Sequence, residues 1–245
     1  MKYLNSLFLV LFVGFFFACD SDDETSNAVA VTFEVEHKVG SESLAFDEIL
    51  FVNEAANSYS VETLKYFLSD ITLHEEDGST VLLKDVQYVD ARELSTLSFA
   101  GMTQLAKGTY TKISLVFGLN ESRNVSGDFP NTPENAMEWP EPMGGGYHYM
   151  KLEGKYEVDG ETFNYNTHTG ATMGVPYHVE IDIEDFRLKT DGDDVTITLT
   201  MDLNKWYSTP NVYNFETFGQ AIMGNPTAQE TLSQNGYNVF TADSE

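Results

Sequence analysis

The 245-residue sequence predicts an all-β protein, an antiparallel β-sandwich with a short C-terminal helix. Three observations carry that expectation. Apolar and polar residues alternate with a period of two through much of the chain, the mark of strands that bury one face. Asp-Gly pairs at 77–78, 159–160 and 191–192 punctuate those stretches, and Asp-Gly favours the tight turn of a hairpin. Near the C-terminus the pattern switches to helix signals: Asn225 as N-cap, Pro226 in the first turn and Gly236 as a stop.

Taken in order, Val29, Val31, Phe33 and Val35 alternate with polar residues in a first strand. Residues 64–73 and 80–89 flank the acidic turn 75–78 as a hairpin. Residues 110–119 place Ile113, Leu115 and Phe117 on one face, after a Lys107-Gly108 turn. Residues 147–156 and 162–167 pair around Asp159-Gly160. Val175, Tyr177, Val179, Ile181 and Ile183 alternate, as do Val195, Ile197, Leu199, Met201 and Leu203. A helix is expected over 226–234, and a looser helical turn over 216–223. The connection 120–146 has no period and carries Pro130, Pro133, Pro140, Pro142 and Gly144-Gly145-Gly146. Loops of that length in a compact domain are functional or disordered. Met137, Trp139 and Met143 within it are material for packing, so it is expected to fold back over the sheet.

Composition narrows the class of function. With 39 acidic and 13 basic residues the net charge is −26, which repels phosphate backbones and excludes a nucleic-acid binder. Hydrophobic residues make up 42% of the chain, enough for a packed core. The single cysteine forms no internal disulfide. No nucleophile elbow, zinc-protease helix, phosphate loop or dinucleotide turn is present, so the expectation is a binding protein and not an enzyme. The acidic turns at 75–78 and 191–194 lack the spacing of a calcium loop and sit where hairpins need turns.

Residues 1–18 read as an export signal: Lys2 is the one early charge, and 7–17 is an unbroken apolar run, too short to span a bilayer. The only cysteine follows in Phe16-Phe17-Ala18-Cys19, which resembles a bacterial lipobox, so Cys19 is the expected lipidation site. More than one acyl chain on that residue anchors a protein stably. Residues 19–28 are then a lipidated acidic tether, and Ser21-Asp22-Asp23-Glu24 resembles an export tag for the outer cell surface. The sandwich is expected over 29–245, on the surface or periplasmic face of the outer membrane.

Chemistry is expected at the histidines. His148 and His168 both lie toward the end of the 147–167 hairpin remote from its turn, and His148 shares a face with Met150 and Leu152. His178 follows ten residues after His168, and His37 ends the first strand near the same rim. Imidazole and the thioethers of Met137, Met143 and Met173 are soft neutral donors that favour Cu(I). Each also has a plain structural reading, as a core histidine, a strand end or packing. The rivals to a copper protein are a non-metal surface-interaction or carbohydrate-binding module, using the tyrosines of 147–156, and a hydrolase using a carboxylate pair.

Several segments together resemble the MbnP-like family of exported copper-binding proteins, named for methanobactin copper uptake. They are residues 33–40 (FEVEHKVG), 61–71 (VETLKYFLSDI), Lys107-Gly108-Thr109-Tyr110, Ala136-Met137-Glu138-Trp139, Gly146-Tyr147 through Lys151-Leu152-Glu153-Gly154, His168-x-Gly170 and Ile222-Met223-Gly224-Asn225-Pro226. The resemblance implies a β-sandwich that binds copper through histidines beside a tryptophan, which Trp139 matches. It also implies oxidation of that tryptophan to kynurenine by a partner di-haem peroxidase. The family often carries a second tryptophan two positions on, where this chain has Glu141.

Overall fold

The computed structural model describes residues 28–245. The expected signal sequence 1–18, Cys19 and the acidic tether up to residue 27 lie outside the described residues. The strands are β1 (Val31–Val39), β2 (Glu42–Ser43), β3 (Phe51–Val52), β4 (Ser58–Tyr59), β5 (Thr63–Glu75), β6 (Thr80–Asp90) and β7 (Ser98–Ala100). They continue as β8 (Gly108–Phe117), β9 (His148–Val158), β10 (Glu161–Gly170), β11 (Val179–Ile183), β12 (Leu188–Thr190), β13 (Val195–Asp202) and β14 (Phe240–Ser244). Two helices, α1 (Phe215–Phe218) and α2 (Pro226–Asn235), precede the last strand.

The strands form two sheets, as expected of an all-β sandwich. The smaller runs β14-β13-β1-β2, with β7 also on β1. The larger runs β11-β8-β5-β9-β4-β3, with β6 on β5, β10 on β9 and β12 on β8. Pairing is antiparallel except between β1 and β13, which run parallel from Val31/Val195 to Lys38/Asp202. Alternation sets the core: in β13 Val195, Ile197, Leu199 and Met201 are buried, and the threonines between them are half-buried.

β5 is the trunk of the larger sheet, and its branching positions the site. Along one edge it pairs with β6. Along the other, Thr63–Tyr66 pair with β9 and Leu68–Glu75 with β8, so β8 and β9 part at Phe67. Gly118 N–H still donates to the Phe67 carbonyl at 2.8 Å, and beyond it the chain leaves the sheet. Everything from there to Tyr147 bridges this fork. The connection does fold back: Met137, Tyr147 and Phe129 pack with Phe67, Tyr88, Leu119 and Tyr149 in a second, smaller apolar cluster apart from the sandwich core. Tyr149 sits so close to Gly118 that a Cβ there would lie 2.5 Å from its ring.

Two elements differ from the sequence expectation in instructive ways. Residues 175–183 are not one strand: β11 starts at Val179, because Pro176 has no N–H to donate to a ladder. Thr172–Val175 instead closes a tight turn through paired backbone bonds of 3.0 Å, with Met173 (φ 53°) and Gly174 (φ 82°) at its centre. The helix forms as read, and the Asn225 side chain accepts from the Ala228 N–H. Gly236, however, has φ −67°, an ordinary helical value. It is needed for space: a Cβ there would lie 2.7 Å from the Trp206 ring.

Candidate metal site

Asp159-Gly160 makes a two-residue turn with both φ values positive, 52° and 82°, and this fixes the β9/β10 register. Counting outward sets Glu153 opposite Asn166 and Lys151 opposite His168. Between Thr169 and Gly170 the register slips, so His148 faces Gly170. Met150 and Leu152 stay in the sandwich core. His148 does not join them, but packs against His168, with ring centroids 5.0 Å apart and planes at 85°.

Trp139 completes the arrangement. Its ring lies 4.7 Å from that of His148 at 72°, and its face covers Gly170, where a Cβ would come within 2.6 Å of the indole. The covering segment is pinned at several points. Trp139 N–H donates to the Gly146 carbonyl at 2.8 Å, Gly146 N–H donates to Ser126 Oγ at 2.8 Å, and Tyr147 N–H donates to Asn124 Oδ1 at 2.8 Å. Gly146 has φ 80° and a Cβ there would strike Asn124, so glycine is required. Trp139 is 2% exposed, yet it belongs to neither apolar cluster, and its indole N–H is buried without a partner. A large buried indole set against the His148 imidazole, with its N–H unpartnered among the described residues, is not accounted for by core packing alone.

The hydrogen bonds fix both tautomers. His148 Nδ1 lies 2.9 Å from the Met137 carbonyl, which only accepts, so the proton sits on Nδ1. His168 Nε2 lies 2.7 Å from Glu153 Oε1 and donates to it. That bond, foremost, holds the Glu153 carboxyl below its ordinary pKa. Among the described residues, Nε2 of His148 and Nδ1 of His168 make no side-chain hydrogen bond of their own. An imidazole anchored through one nitrogen, with the other presented, is how metal-binding histidines are held. Burial, seconded by the Lys151 ammonium, keeps His148 neutral down to about 3. Lys151 Nζ donates to the Ala136 carbonyl at 2.6 Å, tying the covering segment to β9.

The other expected ligands lie elsewhere. His37 faces inward between the sheets with Nε2 2.9 Å from the Tyr66 hydroxyl. His178 stands edge-on to Tyr149 at 6.4 Å, its Nδ1 buried without a partner. Among the described residues no three of His, Cys, Asp and Glu gather in a metal-holding group. What this place brings together is a pair of imidazoles beside an indole, and imidazole is a ligand type suited to ions such as copper.

A family model for MbnP matches residues 28–224. The chain belongs to the MbnP family. Among solved structures, MbnP from Methylosinus trichosporium matches with a TM-score of 0.58 and 11% identity, over 89% of this chain and 99% of that one. At that identity the likeness is one of fold. No curated protein matches the chain.

Within this MbnP-family sandwich, Glu153, Gly170 and Gln229 support the site and were not among the residues expected to do so. Gln229 of α2 is fully buried; its amide donates to the His168 carbonyl at 2.8 Å and its oxygen accepts from Gly170 N–H at 3.2 Å. Register counting from Asp159-Gly160 sets Glu153 opposite Asn166, diagonal to His168, and that placement is a signal by which it could have been found. Nothing local pointed to Gln229, which arrives from a helix some sixty positions further along the chain.

Proposed function

We propose that this protein binds copper as Cu(I), through Nε2 of His148 and Nδ1 of His168, beside Trp139. The observation that carries the reading is the pair of pre-set tautomers: each ring is anchored through one nitrogen, and the two lone pairs left over belong to adjacent imidazoles. Cu(I) accepts few, soft, neutral donors, and its single charge is less costly to bury than a double one. The Trp139 indole is the neighbouring aromatic, and a cation next to its ring face would gain a cation–π contribution. Its oxidation to kynurenine, with a di-haem peroxidase as partner, belongs to this reading as the family implies it. The copper is cargo for acquisition or handling, carried by an outer-membrane lipoprotein anchored through Cys19. The depressed protonation of His148 keeps hydrogen ions from competing for Nε2 in mildly acidic surroundings.

Competition with a chromogenic Cu(I) chelator tests the reading. The wild-type protein is expected to withdraw copper from the chelator, and His148→Ala and His168→Ala each to lose that ability. Undiminished binding by the double variant refutes the site. Glu153→Gln retains the fold but weakens the hold on the His168 tautomer, and a loss of about 10- to 100-fold in affinity is expected.

A further inference from the structure

Beside the imidazole pair, the backbone gathers three methionines that the proposed site does not use. Met173 lies three residues beyond Gly170, the residue under the Trp139 ring. Its N–H donates to the Met143 carbonyl at 3.2 Å, and the neighbouring Thr172 hydroxyl donates to the Met223 carbonyl at 3.0 Å. The backbones of three methionines, each with a flexible thioether side chain, are thus tied to one short turn at the rim of the covering segment. Met173 is 76% exposed, and Met143 and Met223 are half-buried.

Met173 is in an unexpected place. With φ 53° it occupies the first central position of the Thr172–Val175 turn, where Gly, Asn or Asp avoid the strain. An unbranched apolar side chain there carries backbone strain. At 76% exposure it recovers little of that through burial. Packing therefore gives no reason for methionine at this position. Soft-ion chemistry does, since an exposed flexible thioether is a donor that water and hard cations leave alone.

We infer that Met143, Met173 and Met223 form an outer thioether site for a soft monovalent cation, Cu(I) or Ag(I), at the entrance to the imidazole pair. Binding at this site needs nothing from the inner one; only its role as a way-station rests on the proposed function. The surrounding net charge of −26 raises the local cation concentration. Thioethers then select the soft ion and hold it weakly enough to release it to the deeper nitrogens.

The test uses Ag(I), which does not change oxidation state, and the full chain labelled with 13C at the methionine methyl groups. In a His148→Ala/His168→Ala background, Ag(I) is expected to shift the methyl resonances of Met143, Met173 and Met223 while those of the core methionines Met150 and Met201 stay in place. The triple variant Met143→Leu/Met173→Leu/Met223→Leu loses the Ag(I) that the His148→Ala/His168→Ala protein retains, and in the wild-type background it slows loading without changing the equilibrium affinity of the inner site. Unmoved methyl resonances at these three positions overturn the outer site, even if the histidines bind metal. Shifted resonances with no metal at the histidines uphold it and remove the inner site instead.

Discussion

A single side chain can make this protein sensitive to acid. Burial pushes His37 from the ordinary 6.5 down to about 4, and its Nε2 meets the Tyr66 hydroxyl between the sheets. Between those two values the unfolded chain takes up a proton that the folded chain refuses. The contribution is therefore whole above the ordinary value and is lost as pH falls, by about 2 kcal/mol at about pH 5. His37→Gln keeps a partner for Tyr66 and does not titrate. Urea midpoints measured at about pH 7 and about pH 5 should lie closer together in the variant than in the wild type; an unchanged gap excludes His37 as the source. Gly170→Ala is the second residue-scale prediction. The added Cβ would meet the indole at 2.6 Å, so Trp139 must move off the imidazoles. The expected outcome is altered tryptophan emission together with weakened metal binding, and unchanged emission and affinity would contradict the geometry. His148 and His168 were legible in the sequence because a two-residue Asp-Gly turn makes register countable. That Gly170, and not Ala171, faces His148 was not legible, since the slip after Thr169 has no local signature.

At the scale of elements, α2 matters for what it carries to β10 and not for its own stability. Gln229 satisfies the His168 carbonyl, the Ile222 carbonyl and the Gly170 N–H from a fully buried position. Gln229→Leu strands those groups away from water, and a loss of about 2 kcal/mol or more is expected in denaturant unfolding. Asn225→Ala removes only the cap that accepts from Ala228 N–H and should cost about 1 kcal/mol. If the two losses are equal, Gln229 is acting as a helix residue and not as a clamp on the strand. Elements read well from sequence where their signals are local: the 159–160 hairpin and the capped helix are where the residues put them. They read poorly where alternation ran through a residue unable to pair, as at Pro176. The parallel β1/β13 pairing joins segments about 160 positions apart, and no local period encodes a partner at that distance.

Over the whole molecule, excess negative charge bears on both stability and the approach of cations. Acidic residues outnumber basic ones 39 to 13, and several of the ion pairs present are exposed, such as Lys155–Glu62 and Arg187–Glu76. Pairs of that kind contribute about 1 kcal/mol at most. Repulsion among the unmatched carboxylates acts over the whole surface and opposes the compact state. Raising salt from about 0.01 to about 0.15 M shrinks the screening length from about 30 to about 8 Å, which removes far more repulsion than attraction here. The melting temperature should accordingly rise with sodium chloride, the reverse of what a fold held by surface ion pairs would do. The same field draws cations toward the rim, so the association rate of a monovalent ion should fall over that range of nitrate salt while its dissociation rate holds steady. A melting temperature that drops with salt, or an association rate indifferent to it, would mean that the carboxylates are already neutralised in pairs, and that the acidic surface does not steer the ion.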